Sequence, residues 1–366
     1  MGGHGGNLLA FGKRYHKRED EIIDFSSNVS PLGIPESLHS VYQASINDLS
    51  LYPDPYAEFF RETVADFFHL SSENVIAGNG SIALLEVAIQ FLHPKKALLV
   101  EPCFTEYRRL LKLYGSKVDH VLLLPNRDFQ FSLGAILKCL SGTNLLVLGH
   151  PNNPTGSALN LDEIDHVLEK ARKIGIFVIM DEAFVDWEPQ RSVVNRVRNS
   201  EHLLVVRSMT KLFALAGIRS GFALGPKKLI DRMRNYLGPW NCNRLAQKLS
   251  VAALSDLAFQ EKSRDWLRHE RAWFTQAIKE LEEFQVFPSL ANFFLIRSTQ
   301  PLVGFYEFLG EKGIYVRSTE DFLSLDDSYF RIAIRTRAEN QRLMEALSQW
   351  VYAKKKERQK QAPAFF

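Results

Sequence analysis

Only three cysteines, Cys103, Cys139 and Cys242, occur in 366 residues. They are too few and too scattered for a disulfide framework or a zinc site, so no metal is expected. No stretch approaches the roughly 18 consecutive apolar residues of a membrane span. The N-terminus has no charged start followed by an apolar core, so no secretory leader is expected and the chain reads as cytoplasmic. An excess of one charge is missing too: 45 Lys and Arg stand against 42 Asp and Glu, a net charge of +3. That balance gives no electrostatic reason to expect a nucleic-acid partner. The one dense basic run, Lys354–Lys356 with Arg358 and Lys360, lies in a polar segment and reads as a solvated tail.

What is present is a soluble balance, 46% apolar and 24% charged, over a length that holds two domains or one large domain with a smaller lobe. Between about residues 75 and 225, short apolar runs alternate with amphipathic segments. ALLV (97–100), HVLLL (120–124), LLVLG (145–149), IFVIM (176–180), LLVV (203–206) and GFALG (221–225) read as strands. They are continuously apolar rather than alternating, which predicts a sheet covered on both faces. Segment 160–175 reads as a helix: Asn160 caps it, Glu163 completes a capping box and Gly175 closes it. This alternation predicts an α/β large domain with a mainly parallel sheet. After residue 241 the texture changes. Residues 242–284 read as helical, NFFLIR (292–297), GIYVR (313–317) and YFRIAIR (329–335) as strands, and about 338–352 as a final helix. These predict a smaller α+β domain. The expected divisions are 1–48 for an N-terminal arm and part of the small domain, 49–240 for the large domain, 241–353 for the small domain and 354–366 for a polar tail.

In an open α/β sheet, ligands bind beyond the carboxyl ends of the strands. The polar residues that follow the apolar runs are EPCFTEY after 97–100, HPNNPTG after 145–149, DEAF after 176–180 and RSMTK after 203–206. Asp181 leaves a buried strand, and a buried carboxylate is costly unless it meets a cation such as a protonated pyridine nitrogen. Lys211 has Arg219 and apolar neighbours in sequence, both of which lower an amine's pKa, as attack on an aldehyde requires. Ser208, Thr210 and Arg219 suit a phosphate. Gly80 and Ser81 open an apolar helix whose first N–H groups form an anion site. Pyridine, aldehyde and phosphate on one molecule describe pyridoxal 5′-phosphate. Each piece has a plainer reading: GNGS as a turn, DEAF as a helix cap, NNPTG as a loop shaped by Pro and Gly, Phe104 as a core aromatic, Lys211 as a solvated lysine. Their order after successive strands favours the cofactor.

PNNPTG, DEAF and SMTKLFALAGIRSG together resemble the fold-type I pyridoxal-phosphate enzymes of the aspartate aminotransferase superfamily, over essentially the full length. The resemblance implies that Lys211 takes the cofactor covalently and that Asp181 partners the ring nitrogen. It implies Asn153 as donor to the ring 3-hydroxyl, Phe104 as the stacking residue, and Gly80, Ser81, Ser208, Thr210 and Arg219 around the phosphate. Tyr52, in YPDP, would reach the cofactor phosphate of a partner subunit, hence a homodimer with shared active sites.

Two branches of the superfamily compete, the histidinol-phosphate aminotransferases and the threonine-phosphate decarboxylases of cobalamin biosynthesis. HGGN (4–7), DFSSNVSPLG (24–33), Phe184 where aminotransferases have tyrosine, and Arg335 where they usually have glycine are similar to the decarboxylases. That implies a small phosphorylated amino acid as substrate, O-phospho-L-threonine or O-phospho-L-serine. Its expected contacts are His4, Gly5, Asn28, Ser30, Asn153, Arg317, Arg331 and Arg335, with Arg331 where the superfamily's carboxylate-binding arginine stands. The plainer reading of Arg335 is a surface charge. A reading of another class, a catalytically silent binding protein of this fold, is opposed by the intact Lys211, Asp181 and Arg219.

Overall fold

Residues 145–148 show why the central runs form covered strands. Leu145 and Val147 enter one apolar core and Leu146 and Leu148 the other, and all four are buried. The structure, a computed structural model, describes residues 5–361, with side chains through 358. Its strands in chain order are β1 (Ile23–Asp24), β2 (Val75–Gly78), β3 (Lys96–Glu101), β4 (Lys117–Leu122), β5 (Leu145–Gly149), β6 (Phe177–Asp181), β7 (Leu203–Ser208), β8 (Gly221–Leu224), β9 (Phe284–Val286), β10 (Phe293–Ser298), β11 (Ile314–Tyr315), β12 (Arg317–Ser318) and β13 (Tyr329–Ala333).

Seven of them form the large sheet, in the order β2-β8-β7-β6-β5-β3-β4. Only β8 runs antiparallel to its neighbours β2 and β7; the other pairs are parallel. Helices Ser81–Leu92, Thr105–Leu113 and Lys227–Leu237 cover one face, and their Leu84, Leu110 and Ile230 join the core that holds Val147 and Ile179. Helix Leu161–Lys173 lies on the other face through Ile164 and Val167. Its capping box forms as expected, with Asn160 and Glu163 each accepting from the other's backbone N–H. The C-terminal ends of β3, β5, β6 and β7 bring Glu101, Gly149, Asp181 and Ser208 to one edge.

The smaller lobe holds a four-stranded antiparallel sheet, β12-β13-β10-β9. The N-terminal entry strand β1 pairs in parallel with β11, which ties the beginning of the chain to this lobe. The backbone of Phe25 extends the tie: its N–H donates to Tyr315, and its carbonyl accepts from Ala333.

Several expectations shift. The strand expected at 120–124 forms at 117–122, on the sheet edge, where most of its side chains stay partly or fully exposed. Strand β2 was concealed in sequence because VIAG is only four residues and runs directly into the glycine turn. GIYVR divides at Val316 between two sheets, with β11 serving β1 and β12 serving β13. Helix Leu8–Tyr15, capped by Asn7, was not foreseen. The last helix runs from Arg337 to Gln361, so 354–361 continue it instead of forming a tail. Lys355 pairs with Glu283, in the turn before β9, at 2.7 Å and Lys354 with Glu357 on its own helix at 2.9 Å. Among the described residues, no helix is long and apolar enough to cross a membrane.

Candidate active site

A cavity of about 520 Å³ opens at the carboxyl edge of the large sheet. It is lined by Ser81, Phe104, Asn153, Asp181, Ser208, Thr210, Lys211 and Arg219 from the large sheet and its loops, and by Arg317 and Arg331 from the smaller lobe. Gly5, Ser26, Ser27 and Asn28 reach it from the N-terminal segment.

Asp181 ends β6, and its carboxylate accepts from the Tyr107 hydroxyl at 2.7 Å and the Ala183 N–H at 3.0 Å. Burial pushes its pKa up, while Tyr107, the Ala183 N–H and the Lys211 charge pull it back. The loop after it is fixed by a buried ion cluster. Arg207 donates to Glu182 at 3.0 Å and also to Asp186, and Glu182 accepts from the Val193 N–H at 2.6 Å. Removing one member would leave a buried charge unpaired, so the loop has little freedom to move.

Lys211 faces the same space, its Nζ 5.5 Å from the centroid of the Phe184 ring. Burial lowers its pKa to about 8, helped by the charges of Arg331 and Arg219 and opposed by Asp181. Near pH 8 about half of this amine is therefore neutral and able to attack a carbonyl.

Ser81 begins helix Ser81–Leu92, with Gly80 as its N-cap at φ +81°. A Cβ on Gly80 would lie 2.6 Å from Arg219 Nη2, so only glycine fits both the backbone and the guanidinium. A Cβ on Gly221 would lie 2.6 Å from the Ser81 nitrogen. The Ser208 and Thr210 hydroxyls lie 2.8 Å apart beside this helix start. Two hydroxyls, a guanidinium and a helix N-terminus make a phosphate-sized anion site.

In the loop after β5, Asn152 donates to Pro102 at 2.8 Å and to Thr155 at 2.8 Å and so shapes the turn. Asn153 lines the cavity and accepts from Arg331 at 2.6 Å. Burial lowers the Arg331 pKa to about 9, with Arg317 adding to the effect. Its other Nη donates to the Ser26 carbonyl at 2.6 Å, and its Nε has no partner among the described residues.

A protein-family model described as aminotransferase class I and II matches residues 20–347. The chain belongs to that family. Threonine-phosphate decarboxylase of Salmonella typhimurium is 32% identical over 94% of this chain and 95% of its own. Histidinol-phosphate aminotransferase 2 of Pasteurella multocida is 31% identical over 90% of each chain. The crystal structure of the histidinol-phosphate aminotransferase from Clostridium acetobutylicum has a TM-score of 0.84 at 30% identity, over 88% of this chain and 97% of that one. The chain is thus a pyridoxal-phosphate enzyme of the aminotransferase-like fold. The residues fit the cofactor: a partly neutral lysine, a buried carboxylate for the ring nitrogen, Phe104 at the cavity wall, and a cradle whose glycines leave room for the phosphate.

Several expected residues lie elsewhere. Ser30 is buried outside the cavity wall, and its N–H donates to the Lys211 carbonyl at 2.9 Å, a backbone role. Arg335 is not at the cavity either. It donates to Glu339 at 2.7 and 3.0 Å and to the Asp24 carbonyl at 3.0 Å, and these acceptors turn its guanidinium away. Tyr52 is 79% exposed and does not line this chain's own cavity. His4 lies outside the described residues. Tyr107 was missed in sequence. It stands three residues after Phe104, one turn into helix Thr105–Leu113, a spacing that could have placed it beside the ring stacker. Ser26 and Ser27, also in the cavity wall, lie within DFSSNVSPLG but were not singled out, and Phe322 carried no motif signal.

Proposed function

We propose that the chain decarboxylates O-phospho-L-threonine to an amino-alcohol phosphate in cobalamin biosynthesis, with O-phospho-L-serine as the nearest competing substrate. The observation that carries this reading is the pair of buried arginines, Arg317 and Arg331, in a cavity that already has Arg219 for the cofactor phosphate. A phosphoamino acid brings a distal phosphate to Arg317, which Asp321 already orients, and a carboxylate to Arg331, whose partners are the neutral oxygens of Asn153 and Ser26. Histidinol phosphate carries a phosphate but offers Arg331 no carboxylate. The decarboxylases among the relatives agree with this reading, and the near-equal identity of an aminotransferase is why the argument rests on the cavity.

With pyridoxal phosphate bound, the ring draws off the electron pair of whichever Cα bond stands perpendicular to its plane. The chain's own residues choose that bond. Arg317 would hold the distal phosphate, with Asn28 and Gly5 in the same cavity wall, and the grip on the two anionic groups would fix the substrate's orientation. Asp181 keeps the ring nitrogen protonated. Lys211 would supply the proton that takes the place of CO₂ at Cα.

The molecule acts as a homodimer with shared sites. Tyr52, Leu49, Leu51 and Trp240 are all at least half exposed, and Tyr52 packs against Trp240 at 5.3 Å between ring centroids. An apolar patch of this kind suits burial against a second copy. The direct test is incubation with O-phospho-L-threonine, O-phospho-L-serine and histidinol phosphate, reading CO₂ and keto product. Aminotransfer from histidinol phosphate with no CO₂ from either phosphoamino acid would sink the decarboxylase reading. Because the two phosphoamino acids differ by one methyl, their rates should differ by no more than ~1–3 kcal/mol of discrimination.

A further inference from the structure

Arg317 is held by its own lobe and, through a second arginine, by the other. Its Nη2 donates to both carboxylate oxygens of Asp321, at 2.8 and 2.7 Å, and its Nη1 to the Ser318 carbonyl. Phe322 lies 5.2 Å from the guanidinium carbon and lines the same cavity. Asp321 is tied to the large sheet from behind. Arg108, on helix Thr105–Leu113, donates from Nη2 to the Asp321 carbonyl oxygen at 2.9 Å. Arg108 Nη1 lies 3.6 Å from Oε1 of Glu101, the last residue of β3, an ion-pair contact without a hydrogen bond. The Glu101 side chain is 1% exposed, and a buried carboxylate favours a cation beside it. His120 approaches the same oxygen at 3.6 Å from the edge strand β4.

These contacts run from the large sheet through Arg108 to the 317–322 segment of the smaller lobe. We propose that Arg108 is a positioning residue for substrate recognition. It docks the Asp321 loop on the large lobe and so aims Arg317 at the substrate's distal phosphate. The inference rests on the reading of Arg317 as the phosphate residue. Without Arg108, Asp321 is held only from its own lobe, and the 317–322 segment loses its reference to the cofactor side of the cavity.

The test uses the cofactor-loaded enzyme. Arg108→Ala should raise KM for O-phospho-L-threonine by about tenfold, the scale of one lost charge-assisted hydrogen bond, while kcat falls by about threefold at most. Binding of L-threonine, which lacks the phosphate, should be unaltered when read by the absorbance of the bound cofactor. Asp321→Asn keeps the carbonyl that Arg108 grips but weakens the hold on Arg317, and should raise the same KM. An unchanged KM in Arg108→Ala, whatever Asp321→Asn does, or an equal loss of affinity for phosphothreonine and threonine, overturns the proposal. If Arg108→Ala does not fold, Arg108→Lys, which keeps a charge beside Glu101 but loses the guanidinium that reaches the Asp321 carbonyl, decides: a raised KM supports the proposal and an unchanged one overturns it. Arg317→Ala separates the two levels. If it leaves KM unchanged, the reading of Arg317 itself fails. If it raises KM strongly while the other two variants do not, that reading stands and the positioning role fails.

Discussion

Arg331 donates from Nη1 to Oδ1 of Asn153 at 2.6 Å. A guanidinium can only donate, so this contact turns the Asn153 oxygen toward Arg331 and leaves its NH₂ to donate elsewhere. Both side chains line the cavity, which places an oriented amide donor there.

Asn153→Asp tests that arrangement. It preserves the acceptor for Arg331 and removes the donor. One charge-assisted hydrogen bond is worth roughly 1.5–3 kcal/mol, so turnover should fall by a factor of about ten to a hundred with thermal melting preserved. Near-normal turnover would show that the amide does not serve the ring.

The lowered pKa of Lys211 gives a pH prediction. Only the neutral amine attacks the cofactor aldehyde, and burial moves its half-point from 10.5 to about 8. Covalent attachment to the apoprotein should therefore accelerate as pH rises through about 8 and level off above it. Arg331→Gln removes a charge that lowers this pKa, so the midpoint should move upward. Attachment followed by visible absorbance gives the profile, and borohydride reduction with peptide mapping should tag the peptide containing Lys211. A midpoint near 10, or a tag on another lysine, contradicts the assignment.

The large sheet was legible because its strands are covered on both faces, which leaves unbroken apolar runs such as LLVLG and IFVIM. Strand β4 was placed three residues late because an edge strand needs no such run. Asp181, Asn153, Lys211 and Arg219 were legible because each follows a strand in a compact motif. Asp321 was not, since it acts through Arg317 and a contact of a contact leaves no local pattern; Tyr107 left only its spacing from Phe104. Arg335 was misread for the reverse reason. Its strand neighbour Arg331 faces the cavity, but only the fold shows Glu339 and the Asp24 carbonyl waiting for Arg335.

Arg335→Gly should accordingly act on stability more than on chemistry. It removes the donors to Glu339 and Asp24, each only partly shielded from solvent, worth about 1–2 kcal/mol together. The melting temperature should fall by a few degrees, and kcat should stay within about threefold of wild type. A hundredfold loss of turnover with unchanged melting would return Arg335 to the substrate site.

Shared sites predict complementation between two inactive chains. Lys211→Ala cannot attach the cofactor in its own cavity, and Tyr52→Ala removes the exposed ring assigned to the other subunit's cavity. A mixed dimer contains one cavity with both residues intact, so co-refolded chains should regain up to about a quarter of wild-type activity if pairing is random. No recovery in dimers shown to be mixed would remove Tyr52 from the neighbouring site.

Reaction choice is tested at Phe184. Its ring is 6% exposed, packs edge-on to Phe293 at 5.0 Å and lies beneath the Lys211 amine. A phenylalanine there offers no hydrogen-bond donor, which leaves Asn153 as the candidate donor to the ring oxygen. Phe184→Tyr restores the hydroxyl of the aminotransferase branch and should draw electron density toward that oxygen. The absorbance of the bound cofactor should shift without substrate, and aminotransfer per decarboxylation should rise about severalfold, read as accumulation of the pyridoxamine form. An absorbance shift with unchanged partition would mean that the anion sites alone choose the bond. No shift would mean that the position 184 side chain does not reach the ring oxygen, and the difference between the branches at this residue would then be one of packing against Phe293.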